Sequence, residues 1–152
     1  MDGVGTAITQ VDTTARHKLW AKRVIGNKIY RYVYNTGANS IVAGAACFRD
    51  TATDGYVTTS GTLVPERKRP GGIGVSTIAN GSYGWIQRGG KNSTIKKTTY
   101  AGEGYYLVGV SHVSGRVGGA AITLATSYMA FGFSTASYSV GSVCVGILTL
   151  ET

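Results

Sequence analysis

The sequence predicts a single all-β domain, a β-sandwich or flattened β-barrel of short antiparallel strands, with an extended N-terminal arm. Gly (23) and Tyr (10) are abundant and Pro (2) is scarce, which is typical of strands joined by tight turns. One segment alternates between two faces with a period of two, and further short apolar runs recur between turn residues. A chain of 152 residues has the length of one domain and can bury a core.

Residues 28–34 form the clearest predicted strand, because Tyr and β-branched residues alternate along it. A turn at 35–39 leads to a second predicted strand at 41–48, where the interior Gly44 indicates a bulge or a close approach of two backbones. The two faces of the first strand consist of Lys28, Tyr30, Tyr32 and Tyr34 on one side and Ile29, Arg31 and Val33 on the other.

Residues 71–90, GGIGVSTIANGSYGWIQRGG, predict a strand, a turn at Asn80-Gly81-Ser82 and a second strand. Nothing in this run supplies an acid, a base or a nucleophile, so it is expected to be scaffold. The segment 49–70 contains both prolines and is expected to be a long surface excursion with a short strand at 56–59. Little helix is expected, and the best helical window is 119–129. Further strands are predicted at 93–100, 104–110, 120–125, 128–133 and 142–150.

Two regions are expected along the chain: an N-terminal arm with a basic segment at 1–25 and a β-rich domain at 26–152. The segment RHKLWAKR, residues 16–23, combines cations with Leu19 and Trp20. Such a segment suits an arm that lies across a partner, although an ordinary first strand with a solvated charged face would have the same pattern.

Charged residues make up only 14% of the chain, against about 25% in an average globular protein. So low a fraction suggests that neighbouring molecules cover part of the surface. The net charge of +8 favours an acidic partner such as nucleic acid or an anionic protein or membrane surface, although it also suits simple solubility. The first residues lack signal-peptide features, and no stretch approaches the roughly 20 apolar residues of a membrane span. A soluble, cytoplasmically made product is therefore expected.

Catalytic and metal-binding patterns are weak. His112, in VSHVSG, has a serine on either side, but no nucleophile-elbow motif accompanies it, and a polar histidine at a strand end is the simpler interpretation. Cys47 and Cys144 lie in apolar surroundings that favour buried thiols, while a disulfide between them stays open. The spacing of Cys and His does not suggest zinc. We therefore expect a protein that is not an enzyme and that needs no cofactor and no metal.

The segments YVYNTGANSIVAGAAC (32–47), GGIGVSTIANGSYGWIQRGG (71–90) and YYLVGVS (105–111) resemble the small β-rich decoration, or cement, proteins of tailed-bacteriophage capsids. The resemblance implies a virion protein on the outer surface of a mature icosahedral head. It implies that the chain bridges subunits of the major capsid protein, as a homotrimer or another symmetric oligomer. The family has no catalytic residues to carry over.

This resemblance and the composition together lead to one function prediction and two alternatives. The chain is predicted to decorate and stabilise the phage head; the alternatives are a β-barrel that binds single-stranded nucleic acid, and another virion part such as a head-fibre base or a tail protein. No membrane partner is expected. The candidate residues of a capsid or subunit interface are Arg16, Lys18, Trp20, Arg23, Tyr30, Tyr32, Tyr34, Arg67, Lys68, Arg69 and Trp85.

Overall fold

Ten strands form one sheet in the computed structural model of the chain. The structure describes residues 7–50, 54–59, 69–96, 106–109, 117–120, 130–136 and 143–150. The strands are β1 (Lys22–Ile25), β2 (Lys28–Asn35), β3 (Ala46–Arg49), β4 (Tyr56–Thr58), β5 (Pro70–Gly74), β6 (Tyr83–Lys96), β7 (Tyr106–Gly109), β8 (Val117–Ala120), β9 (Ala130–Ser134) and β10 (Val143–Thr149).

Five of these strands close into a barrel. Their order is β2, β4, β3, β5 and β6, and β6 pairs back onto β2. The β2–β4 pair is parallel, whereas the other four pairs of the ring are antiparallel. The predicted all-β class is confirmed, and the single parallel pair in the ring departs from the predicted antiparallel arrangement because β4 approaches the far end of β2 after a long connection.

The long strand β6 belongs to two parts of the sheet. Its first half, up to Gly89, pairs with β2, and the stretch from Gly89 to Lys96 pairs with β10. Strands β9, β7 and β8 follow β10 and extend the sheet away from the barrel. The predicted strand at 93–100 is thus, as far as Lys96, the continuation of the hairpin strand.

A buried amide network stabilises β6 where it leaves the barrel. The register against β2 shifts there, so that Arg88 is an extra residue between the pairs of Gln87 and Gly89. The Gln87 amide nitrogen donates to three backbone carbonyls of residues 89–91, and the Gln87 side-chain oxygen accepts a hydrogen bond from Asn92 at 2.9 Å. Because a bulge leaves backbone groups unpaired, these bonds satisfy carbonyls that the ladder does not.

Apolar side chains form three clusters around this frame. One fills the barrel and contains Val33, Ile41, Ala45, Cys47, Val57, Ile78 and Ile86. A second lies between the outer face of β3 and β5 and the extended part of the sheet, and contains Ala46, Phe48, Ile73, Ile95, Phe131 and Leu148. The third is aromatic, lies on the opposite outer face of the barrel, and contains Tyr30, Tyr32 and Trp85.

Several local predictions are confirmed. The strand at 28–34 is β2, the strand at 56–59 is β4, and the segment 71–90 pairs as a hairpin with Ile73 opposite Gln87. Gly44 has a φ of +80°, and a Cβ there would lie 1.9 Å from the Thr94 carbonyl oxygen, so the predicted close approach of two backbones is present.

Other predictions fall partly or wholly outside the described residues. These are most of the 49–70 excursion, residues 121–129 of the helical window and His112. Within the described residues, no helix is long and apolar enough to cross a membrane.

Candidate interaction surface

Residues 7–21 lie across the aromatic face of the barrel. The backbones of Asp12 and Tyr83 pair through two hydrogen bonds, of 3.0 and 2.8 Å. The partly buried side chains of Ile8 and Ala21 pack against the aromatic cluster. The segment therefore contacts the barrel at both of its ends and near its middle.

Asp12 is the centre of a polar clasp beneath this segment. Its carboxylate is almost completely buried and accepts hydrogen bonds from the Tyr32 hydroxyl at 2.9 Å and from the Gln10 amide at 3.0 Å. The Arg16 Nε lies 2.9 Å from the same carboxylate, although the Arg16 side chain is 60% exposed. The Arg16 backbone N–H donates to the Tyr32 hydroxyl at 3.3 Å. A buried carboxylate with three donors is well compensated.

Burial raises the pKa of Tyr32 to about 12, and the hydrogen bond and negative charge of Asp12 act in the same direction, while the bond from the Arg16 backbone opposes them. Burial also raises the pKa of Tyr30. The Tyr32 phenol therefore stays neutral up to strongly alkaline pH, and it keeps the proton with which it bonds Asp12.

The rings of the aromatic face contact one another. His17, from the covering segment, lies 5.0 Å from the Tyr32 ring and 5.3 Å from the Trp85 ring. Tyr32 and Trp85 meet at 5.2 Å in an edge-on arrangement, and Tyr83 stacks on Tyr32 at 6.0 Å. Such pairs add stability beyond the area that they bury.

Trp20 lies close to the backbone of β2, and arginines surround it. Its φ of +67° makes it the non-glycine residue with positive φ among those described, a conformation that costs free energy and needs support from its surroundings. Its N–H donates to the Tyr32 carbonyl at 2.8 Å, and its carbonyl accepts from Arg31 at 2.7 Å. The guanidinium groups of Arg88, Arg49 and Arg31 lie 4.6, 5.5 and 5.7 Å from the indole centre.

Arg88 links this end of the barrel to the last strand. Its side chain is buried and donates to the carbonyls of Pro70, at 3.2 Å, and of Gly71. It also reaches the Leu150 carbonyl at 3.4 Å, and the Leu150 N–H returns a bond to the Arg88 carbonyl. The guanidinium thus joins β5, β6 and the residue after β10, which makes it a structural cation.

The β1–β2 hairpin has the opposite character, because its tip is exposed. Gly26 has a φ of +59° in the two-residue connection, as tight hairpins require. Val24 and Ile25 are 58% and 44% exposed and are the exposed large hydrophobic residues of the described part of the chain. This hairpin is therefore the apolar feature that a partner could reach.

The predicted interface residues fall into buried, half-buried and exposed groups. Tyr30, Tyr32 and Trp85 pack inside the chain, and Tyr34 is half-buried against Tyr56 and Tyr83. Trp20 and Arg23 are half-buried. Arg16, Lys18 and Arg69 are exposed, and Arg67 and Lys68 lie outside the described residues.

Sequence reasoning missed three features of this region. It placed Asp12 in a polar arm, although its carboxylate is the clasp; the one available signal was a carboxylate close to a histidine and a Trp in a chain with few acids. It gave no role to Arg88 or to Arg49. Their proximity to Trp20 joins segments far apart in sequence and has no local signature.

Comparisons with known proteins add one structural likeness. No protein-family model matches the chain, and no curated protein sequence matches it. Among solved structures, the chain is similar to the N base of the head fibre gp8.5 of bacteriophage phi29, with a TM-score of 0.51 and 8% sequence identity. The match covers 82% of this chain and 97% of that one. At this identity the likeness shows a shared fold.

Proposed function

We propose that the chain is a non-enzymatic structural protein of a bacteriophage virion, attached to the outside of the head. The observation that carries this proposal is the shared fold with a head-fibre base over most of both chains. The resemblance of residues 32–47, 71–90 and 105–111 to capsid decoration proteins points to the same place in the virion. Both lines of support concern proteins that hold neighbours and do not turn over a substrate.

The surface chemistry supports a binding role. The net charge is +8 with only 14% charged residues, and Lys18, Lys22 and Arg16 are exposed on the N-terminal side of the barrel. Acidic patches on a capsid would attract this side of the molecule. The partner that we propose is the major capsid protein, and several copies acting together, as a trimer or another symmetric oligomer, would strengthen modest contacts through avidity.

Two modes of attachment fit this function. In one, the chain bridges neighbouring capsid subunits as a decoration protein; in the other, it anchors a longer fibre as a base. The structural likeness to the phi29 fibre base favours the second mode, while the three sequence segments favour the first. Both require a symmetric contact with the head and differ in whether further protein projects from it.

Binding of single-stranded nucleic acid is the alternative that the basic segment suggests. Such binding uses exposed aromatic rings on which bases stack. Tyr32 and Trp85 are buried beneath residues 7–21 (0% and 3% exposed), so the aromatic face does not offer that platform. This argues for a protein partner.

The test is sedimentation of the purified chain with mature heads and with immature proheads of the phage that carries its gene, followed by imaging of the particles. We expect co-sedimentation with mature heads and density on their outer surface. Purified virions that lack the chain would overturn the proposal. Retention of single-stranded DNA on filters at low salt, falling steeply as salt is added, would support the alternative instead.

A further inference from the structure

The outer edge of β1 presents backbone groups without a strand beside them. Strand β1 pairs with β2 along one edge, from Lys22 opposite Arg31 to Ile25 opposite Lys28, and no described residue pairs with its other edge. Just before β1, the Tyr32 N–H donates to the Ala21 carbonyl at 3.1 Å. Because bonded and non-bonded pairs alternate in an antiparallel ladder, the N–H and C=O groups of Lys22 and Val24 point away from β2.

Apolar side chains lie on the same strand as this edge. Val24 and Ile25 are 58% and 44% exposed, and as neighbours in a strand they project to opposite faces. Single exposed apolar residues are common on protein surfaces. Two in succession, beside outward-pointing backbone groups at a hairpin tip, provide both elements of strand addition: main-chain bonds for affinity and side-chain contacts for selectivity.

The charge around the edge selects the kind of partner. Residues 16–31 contain six cations (Arg16, Lys18, Lys22, Arg23, Lys28 and Arg31) and no carboxylate, and the sequence has no Asp or Glu between Asp12 and Asp50. Lysine at a sheet edge disfavours pairing between copies of the same chain, because like charges on adjacent strands repel. A strand with acidic side chains would be attracted instead.

We propose that β1 is a docking edge for an extended, acidic segment of another protein, which adds to the sheet as a further strand beside Lys22–Ile25. The acidic side chains face the cations of the hairpin, and the apolar side chains between them cover Val24 and Ile25. This inference goes beyond the proposed function, because it depends on the surface of the hairpin and not on where the protein resides.

The probe is a fluorescein-labelled octapeptide of alternating Val and Glu, titrated with the full chain while anisotropy and backbone amide shifts are recorded. Two matched peptides accompany it: one with Gln in place of Glu, and one with N-methyl groups on alternate amides. We expect binding with the largest shifts at 22–25. The Gln peptide is expected to bind about fivefold more weakly, as a few exposed charge pairs would produce, and the N-methylated peptide is expected to lose most of the affinity.

Variants of the protein supply the second arm. Val24→Pro removes an outward N–H without removing a bond to β2, so it is expected to abolish peptide binding while the chain stays folded. Lys28→Glu is expected to weaken binding about fivefold, and Lys96→Glu, at the other end of β6, is the control expected to leave it unchanged.

Three results would overturn the proposal. Equal binding of the Glu and Gln peptides would remove the acidic selectivity, and amide shifts away from residues 22–25 would remove the site. Concentration-dependent self-association that Val24→Pro abolishes would show that a second copy occupies the edge. Because two of the three comparisons change the peptide and leave the protein intact, a variant that fails to fold does not rescue the proposal.

Discussion

The clasp between Asp12 and Tyr32 is expected to show strong energetic coupling. In Asp12→Ala, the Tyr32 hydroxyl loses its acceptor at 2.9 Å inside a covered face, and the partners Gln10 and Arg16 lose theirs. A hydrogen bond to a charged group contributes about 1.5–3 kcal/mol, and the exposed Arg16 pair adds less than about 1 kcal/mol. We expect the free energy of unfolding to fall by about 3 kcal/mol.

The partner substitution, Tyr32→Phe, removes the hydroxyl but leaves the Asp12 carboxylate with Gln10 and Arg16, so a loss of about 2 kcal/mol is expected. Once either partner is gone, removing the other costs less. The double variant is therefore expected to lose about 3.5 kcal/mol, which corresponds to a coupling energy of about 1.5 kcal/mol. Urea unfolding of the four proteins measures these values.

The exposed Thr13, next to the clasp, supplies the control, and Thr13→Ala is expected to change stability by less than about 0.5 kcal/mol. Additive losses from Asp12→Ala and Tyr32→Phe, within about 0.5 kcal/mol, would refute the coupling. The tyrosine also predicts a pH dependence. Its folded pKa of about 12 lies above the ordinary value of 10, so its contribution is fully present below pH 10 and is lost as pH rises towards 12. The loss should be absent in Tyr32→Phe.

Two further substitutions test the packing. Gly44→Ala places a methyl group 1.9 Å from the Thr94 carbonyl oxygen at a φ of +80°; we expect a loss of about 2–4 kcal/mol in urea unfolding. Gly26→Ala, also at positive φ but with no atom within 4 Å, should lose only about 1 kcal/mol, and equal losses would contradict the steric argument. Burial raises the pKa of Cys47 to about 12, so in a Cys144→Ser background this thiol should resist a thiol reagent at pH 8 until urea unfolds the chain; rapid native-state labelling would show that the barrel interior is accessible.

The strands that were predicted best are those whose signal lies in neighbouring residues. Period-two alternation predicted β2, because successive side chains of a strand point to opposite faces, and a turn at Gly81 predicted the hairpin of β5 and β6. The close approach at Gly44 was predicted because a glycine inside an apolar strand commonly marks a bulge or a neighbouring backbone. The buried or exposed state of the predicted interface residues was not encoded locally: Tyr32 and Lys18 were grouped together, yet one is buried and the other is exposed.

The sequence by itself determined an all-β chain, the positions of its main strands and a basic surface poor in charge, because these depend on composition and on the period of the side chains. Only the tertiary structure decided that β6 closes onto β2, that Asp12 lies beneath the N-terminal segment and that Arg88 reaches both Trp20 and Leu150. Each of these contacts joins residues that are distant along the chain. Their partners are selected by the packing of the whole barrel, which no short stretch of sequence contains.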